Sequence, residues 1–319
     1  MKELYSNCKN IILKNYDSPL NDKVLDILTV VFLSLVLRFP KVTAKKMPFI
    51  FNKIDILFED RLVSEMVLEK YNNYPWNNFS DSNSAMVIRA LNLEETTDED
   101  WTMFINLSGN TDLLKILSKT IHEMIHLLRF GGIYEYEKEI KIRDGIRVSR
   151  CIKETNSVKR KHHYAEESIV EYFTKDTITY LHKSIEKECD LSFSPTLNDF
   201  NKKFNGQYSP CFPLHVSLFE SLALNPMIKR YMEETFEMTD DIPSLITYYN
   251  NAIGNSSAFC DLSRSLDKLQ EALYDDNKQG IIDIINDLKP SISKVINSDR
   301  SNSMIGAPVL TKKLTPPKK

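Results

Sequence analysis

The sequence predicts a mainly helical α+β fold. Glycine is scarce, with 8 residues in 319, and there are only 13 prolines, so few positions break a helix. Apolar residues recur at helical spacing over several long stretches, whereas residues 85–93 and 101–107 have the composition of strands. With 42% hydrophobic residues the chain can bury a large core, which excludes collagen-like, low-complexity and largely disordered classes.

The N-terminal part reads as helices followed by a small sheet. Residues 3–38 are predicted to be helical with a break at Asp17-Ser18-Pro19, and residues 49–72 form a further helical stretch. An Asn/Ser-rich loop over residues 72–84 carries Trp76 and precedes the two strands. We assign residues 1–110 to this N-terminal region.

The apolar segment 27–37 is the one stretch that resembles a membrane element. It spans only eleven residues between Asp26 and Arg38, against the roughly 20 that a bilayer requires, and it starts too late for a signal peptide. We therefore predict a buried helix and no membrane partner. The expected location is the cytoplasm, or export without a cleavable signal as a translocated effector.

Charge and cysteine usage narrow the class of protein further. Lysine and arginine total 41 against 44 acidic residues, a formal charge of −3, which argues against a dedicated nucleic-acid binder. The five cysteines are scattered without metal-type spacing, so we expect free thiols, with Cys8 the most exposed.

The central part, residues 111–189, contains the clearest helix. Thr111 is the expected N-cap, Leu113 begins the apolar periodicity, and the pair Gly131–Gly132 follows the expected end. An Asp144-Gly145 dipeptide between two strand-like runs predicts a hairpin. A basic loop over residues 153–163 then leads to a second helix over residues 164–188. Beyond it we expect a helical C-terminal lobe (190–297) and a disordered tail (298–319).

One pentapeptide inside the central helix carries chemistry: His122-Glu123-Met124-Ile125-His126. Two histidines four residues apart share one face of a helix, so both imidazoles can reach a single metal ion. The glutamate after the first histidine can act on a water bound to that ion.

This pentapeptide resembles the HExxH signature of zinc metallopeptidases, and the resemblance implies a zincin-like fold with zinc as cofactor. The metzincin group continues with a glycine and a third histidine, but this chain has Arg129 and Gly132 at those positions. The gluzincin, or thermolysin-like, group takes its third ligand from a glutamate on a later helix. The similarity to gluzincins covers roughly residues 111–176, about a fifth of the chain.

The second helix offers the glutamate that this resemblance requires. Glu167 and Glu171 lie one turn apart in a stretch similar to the E-G-x-T-E-Y segment of gluzincin-like proteins, with serine in place of glycine. The resemblance implies that Glu167 is the third zinc ligand and that Glu171 accepts a hydrogen bond from a ligand histidine. Two alternatives for the third ligand stay open: Glu166, and the pair His162–His163.

The resemblance also implies a mechanism. A zinc-bound water attacks the carbonyl with Glu123 as general base, and the same glutamate then protonates the leaving amine. Another side chain must stabilise the oxyanion. Tyr208 is the preferred candidate because it lies in a Ser-Pro-containing break of the helical pattern, and the other candidates are Tyr172, His163 and His215.

The predicted function is a zinc metallopeptidase acting on a peptide or protein substrate. In zincins an edge strand before the metal helix pairs with the substrate, so we expect that role for residues 103–107. The basic run 159–163 either is a solvated loop or gives the site a preference for acidic substrates. The loop around Trp76 either lines the rim of the cleft or packs against the protein. The alternatives are a non-catalytic zincin-fold binding protein and a zinc hydrolase of a non-peptide amide.

Overall fold

The computed structural model describes residues 1–59, 61–70, 85–90, 100–106, 112–136, 138–152, 157–237 and 244–302. Within these ranges the chain forms twelve α-helices and two small sheets, which confirms the mainly helical α+β class. The helices are α1 (Lys2–Asn15), α2 (Asp22–Arg38), α3 (Pro40–Lys53), α4 (Val63–Lys70), α5 (Leu113–Leu128), α6 (His163–Ile185), α7 (Pro195–Lys203), α8 (Pro213–Leu222), α9 (Pro226–Glu234), α10 (Ser244–Ile253), α11 (Ala258–Tyr274) and α12 (Lys278–Asn302). The strands are β1 (Ile54–Glu59), β2 (Ala85–Ala90), β3 (Asp100–Asn106), β4 (Phe130–Glu135), β5 (Glu139–Asp144), β6 (Arg147–Ile152) and β7 (Ser157–Lys161).

The apolar helix α2 is the centre of the N-terminal packing. Every residue from Val24 to Leu35 is buried, as expected for a helix that is apolar on all faces. The single carboxylate in this stretch, Asp26, is satisfied by the Tyr5 hydroxyl at 2.5 Å and by the Thr196 amide at 2.8 Å. The segment predicted as a short buried helix therefore packs inside the protein. Among the described residues, no helix is both long and apolar enough to cross a bilayer.

The first sheet corrects two expectations. The predicted helical stretch 49–72 is divided into the end of α3, strand β1 and helix α4, because Ile54 and Ile56 alternate into the core and β1 pairs with β3 in parallel. The strand order is β1-β3-β2, so β3 lies inside the sheet. The expectation that residues 103–107 form an edge strand is therefore wrong for the part that the structure describes.

Helix α5 begins and ends on different signals from those expected. Its N-cap is Asp112, whose carboxylate accepts a hydrogen bond from the Leu114 amide at 3.2 Å. Thr111 lies outside the described residues, as does the loop that carries Trp76. Gly131 and Gly132 belong to β4 rather than to a helix end. The helix packs against α6, β2 and β3, so its apolar face is covered on both sides.

The second sheet has the order β4-β5-β6-β7 and contains the predicted hairpin. Asp144 pairs with Arg147 across the turn, and Gly145 adopts a φ of +54°, a conformation that glycine accommodates best. The predicted basic loop instead contains strand β7, because residues 157–161 pair with β6. Residues 153–156 lie outside the described part of the chain.

The C-terminal half is helical, as predicted, with two corrections. Helix α12 continues to Asn302, past the expected start of the tail, because Val295 is fully buried and the Ser298 hydroxyl donates to its carbonyl oxygen at 2.7 Å. Cys8 is buried at 2% exposure against the α1–α2 core, so it is not the exposed thiol that we expected. One apolar cluster contains residues from both ends of the chain, and the division into four regions remains a prediction.

Candidate metal centre

Two buried histidines lie on one face of α5. His122 and His126 are separated by one helical turn, and their rings are 4.9 Å apart between centroids. Both Nε2 atoms point to the same place, 3.2 Å from each other. The helical spacing seen in the sequence therefore brings the two nitrogens within reach of one ion.

Helix α6 adds a carboxylate to this pair. Oε2 of Glu167 lies 3.2 Å from Nε2 of His122 and 3.3 Å from Nε2 of His126. Ligand atoms about 2.0–2.1 Å from a tetrahedral zinc ion are about 3.3 Å from one another. The triangle formed by the three atoms thus fits one face of a zinc coordination tetrahedron. This His/His/Glu group could hold a metal ion.

The second nitrogen of His122 is fixed by Glu171. Its Nδ1 donates to Oε2 of Glu171 at 2.7 Å, so in the neutral ring Nε2 carries the lone pair. Burial alone would lower the pKa of His122, but its hydrogen bonds to Glu167 and Glu171 outweigh burial and raise that pKa to about 10. The surroundings of His122 therefore favour a positive charge between the three groups, which a proton or a metal ion can supply.

Glu171 is itself held by a segment from the C-terminal half. Its Oε1 accepts the Tyr208 hydroxyl at 2.7 Å and the Cys211 backbone amide at 2.7 Å. Burial would raise the pKa of Glu171, but the hydrogen bonds from His122, Tyr208 and Cys211 lower it to about 2. The carboxylate thus stays ionised and keeps accepting the His122 proton.

The other oxygen of Glu167 is held by an arginine of the hairpin. Arg147 donates from Nη1 to Oε1 of Glu167 at 2.8 Å and from Nη2 to Asp144 at 2.9 Å. Nδ1 of His163 lies 3.6 Å from the same Oε1. Burial would raise the pKa of Glu167, but the charge of His126 and the hydrogen bond from His122 hold it well below its usual range. Glu167 therefore presents one oxygen to the histidines and the other to Arg147.

Glu166, an alternative third ligand, has a different role. Its two oxygens accept Nε and Nη2 of Arg129 at 2.7 and 2.8 Å, and Oε2 also accepts the Ile146 amide at 2.9 Å. Both side chains of this pair are fully buried. A Cβ on Gly145 would lie 2.4 Å from Oε1 of Glu166, so the hairpin turn leaves no room for a side chain. This carboxylate closes the hairpin onto α5 and does not face the histidines.

The fold places some of the remaining ligand and oxyanion candidates at the metal centre and the others away from it. His162 is the N-cap residue of α6, with a φ of +61°, and packs its ring on Phe259, outside the group formed by His122, His126 and Glu167. Only Tyr208 and His163 of the four oxyanion candidates contact this centre, through Glu171 and Glu167.

His215 is buried in α8, and its Nε2 donates to the Leu266 carbonyl at 3.1 Å. Tyr172 is half-buried, and burial together with the charge of Asp176 raises its pKa to about 12. Neither His215 nor Tyr172 belongs to the His/His/Glu group.

The residue between the histidines in sequence, Glu123, is half-buried on α5. One turn earlier, Lys119 lies against the Cys211 thiol. Burial would lower the pKa of Lys119, but the charges of Cys211, Glu171 and Glu123 raise it. The centre is therefore bordered by a cation on the side of Glu123, a feature that the sequence motif did not reveal.

Comparison with models of known protein families, with curated proteins and with solved structures finds no match for this chain. The site itself therefore defines the class: a helical α+β protein with a buried His/His/Glu group that could bind a metal ion. The finer assignment rests on the chemistry of that group.

Proposed function

We propose that the chain is a zinc-dependent metallopeptidase that hydrolyses peptide bonds, with His122, His126 and Glu167 as metal ligands. The observation that carries this proposal is the triangle of Nε2, Nε2 and Oε2 atoms with edges of 3.2–3.3 Å. Two nitrogens and one carboxylate oxygen form the donor set of the thermolysin type of catalytic zinc site. When bound at such a site, zinc supplies Lewis acidity that lowers the pKa of water to about 7.

The roles of the protein groups follow from their positions. Glu123, next to the first ligand, would take the proton of the attacking water and later give it to the leaving amine. Glu171 would hold His122 in the tautomer that ligates through Nε2. Tyr208, the oxyanion candidate from the sequence, donates its hydroxyl proton to Glu171 in this structure and would act mainly by supporting that carboxylate.

Substrate pairing, expected for β3, falls to a different strand in this proposal. Among the described strands β1 and β2 are the two edges of the first sheet, and β2 is the edge strand that packs against α5. An extended peptide adds to a free sheet edge through main-chain hydrogen bonds. We therefore assign the substrate backbone around the scissile bond to β2. Location in the cytoplasm or export as an effector remains a prediction.

Metal stoichiometry tests the ligand set. We expect about one zinc per wild-type chain purified without chelator, and none in His126→Ala or Glu167→Ala. The matched controls are His182→Ala on α6 and the exposed Glu271→Ala on α11, which should keep the metal. Zinc retained in Glu167→Ala would move the third ligand to another residue, and no zinc in the wild type would overturn the proposal.

Turnover tests the reaction. Zinc-loaded wild type and Glu123→Gln are incubated with a mixture of peptides, and new termini are identified by mass spectrometry. We expect cleavage by the wild type only, with full metal content in both. Metal without cleavage of any peptide would favour a binding protein or a hydrolase of a non-peptide amide.

A further inference from the structure

The second sheet carries a band of positive charge on its outer face. Lys141 of β5 is directly opposite Arg150 of β6, which is directly opposite Lys159 of β7. Lys161, two residues further along β7, points to the same face. Arg150, Lys159 and Lys161 are exposed. We call these four residues the basic band.

The basic band is unfavourable for the isolated sheet. Directly opposite side chains on neighbouring strands have Cβ atoms about 5 Å apart, and like charges at that distance destabilise the pairing. Arg150 forms an ion pair with Glu139, a neighbour of the band on β5, at 3.9 Å. In a chain with a net charge of −3, four cations thus lie together on one face of this sheet, a pattern that suits an anionic partner.

The outer edge of β7 can supply the second half of such an interface. β7 is the terminal strand in the order β4-β5-β6-β7, so among the described strands it has a neighbour on one side only. An added strand would place alternate side chains on the outer face, beside Lys159 and Lys161. The strand ends two residues before His163 and six before Glu167, so a segment bound there lies near the N-terminal end of α6, the helix that carries Glu167.

We propose that the edge of β7 binds an extended acidic segment of the substrate as a fifth strand, with its carboxylates beside the basic band. This inference rests on the proposed peptidase function, since it names the class of substrate. An acidic peptide fits better than a nucleic acid because β7, the terminal strand among those described, can pair through its backbone groups, whereas the chain as a whole is acidic.

The binding test uses the full chain as Glu123→Gln, so that peptides stay intact. The probe is a fluorescent peptide of about twelve residues that alternates glutamate and threonine, compared with its glutamine analogue. We expect at least about tenfold tighter binding of the acidic peptide by anisotropy, and loss of that difference in Lys159→Glu/Lys161→Glu. The matched control Lys183→Glu/Lys187→Glu, on exposed positions near the end of α6, should bind like the parent.

Two further peptides separate strand addition from general charge attraction. One has the same composition with its glutamates in a block, and the other carries N-methyl groups at alternate residues, which removes backbone donors. Both should bind at least about tenfold more weakly than the alternating peptide. Equal binding of all three, equal loss in both double variants, or tighter binding of a DNA oligonucleotide would overturn the proposal.

The outcomes for docking and for peptidase activity are distinguishable. Binding is measured without turnover, so tight binding of the acidic peptide with no cleavage by zinc-loaded wild type would leave the docking edge without the peptidase. Cleavage of neutral and acidic peptides at equal rates, with no binding difference, would remove the docking edge and keep the peptidase.

Discussion

Arg147 donates to the one oxygen of Glu167 that does not face the histidines, at 2.8 Å. The same guanidinium bridges to Asp144 at 2.9 Å, so the β5–β6 hairpin fixes the orientation of the carboxylate on α6. Groups that orient a metal ligand in this way commonly change metal affinity by about 10–100-fold when removed.

The first prediction concerns this arginine. Arg147→Met should lower metal affinity by about tenfold and change the visible spectrum of the cobalt-substituted protein, because Glu167 becomes free to rotate or to bind through both oxygens. Arg147→Lys keeps the charge but cannot bridge Glu167 and Asp144 with two nitrogens, so its metal affinity should lie between those of the wild type and Arg147→Met. Arg150→Met, on the same strand, is the matched control and should leave the spectrum unchanged. An unaltered spectrum in Arg147→Met would contradict the positioning role.

The second prediction concerns the partner of His122. Glu171→Gln keeps the size of the side chain but loses the charge that stabilises the Nδ1 proton, so zinc affinity should fall by about 10–100-fold. Competition with a chromogenic chelator measures the change. Glu186→Gln, an exposed position at the end of α6, serves as the control. Equal affinities in the two variants would sink the assigned role of Glu171.

The third prediction separates two roles for Tyr208. If its hydroxyl mainly supports Glu171, Tyr208→Phe should weaken zinc binding by about tenfold, because one of the donors to that carboxylate is lost. If it acts on the oxyanion, kcat should fall by about 10²–10³ with zinc affinity unchanged. We expect loss of zinc affinity, since that contact is the one present in the structure.

The fourth prediction concerns protons. In the metal-free chain the pKa of His122 is raised to about 10, so this ring is protonated at pH 7 and metal must displace the proton. Because the proton competes with the metal below that pKa, zinc affinity should rise about tenfold per pH unit between pH 7 and 9. Calorimetry in two buffers of different ionisation enthalpy should give release of about one proton per zinc from this group. No release would mean that His122 is already neutral before metal binds.

The fifth prediction concerns stability rather than metal. Glu166→Ala leaves the Arg129 guanidinium buried without its carboxylate, which typically costs about 3–5 kcal/mol of unfolding free energy. Urea unfolding in the presence of chelator measures the loss, with the exposed Glu65→Ala as the control. Whatever fraction folds should still bind zinc, because Glu166 does not face the histidines. A stable variant that cannot bind zinc would make Glu166 the ligand.

Local spacing carried much of this site in the sequence. His122 and His126 lie on α5, and Glu167 lies on α6. The apolar periodicity of each segment predicts which face of its helix these residues occupy. Their convergence depends on one helix-to-helix contact. The similarity of the segment with Glu167 and Glu171 to a known motif was sufficient to predict that both glutamates lie where α6 contacts α5.

The long-range groups could not be read in the same way. Arg147 and Glu167 are twenty residues apart and meet only because the hairpin folds back onto α6. The edge role of β3 failed for a related reason. Strand composition does not say how many neighbours a strand has, and β1 was hidden inside an apolar run that also suits a helix. The strand β7 was missed because its lysines and arginine are typical of both loops and charged sheet edges.

The two donors that hold Oε1 of Glu171 come from residues 208 and 211, beyond the end of α6. A fragment trimmed to residues 111–189 would keep every group proposed to touch the metal and lose two of the three hydrogen bonds that hold the Glu171 carboxylate. The candidate metal centre and its supporting contacts therefore extend beyond the sequence motif that indicates them. Any transplantation of this centre onto a smaller scaffold has to carry the 208–211 segment with it, or supply two new donors at the same oxygen.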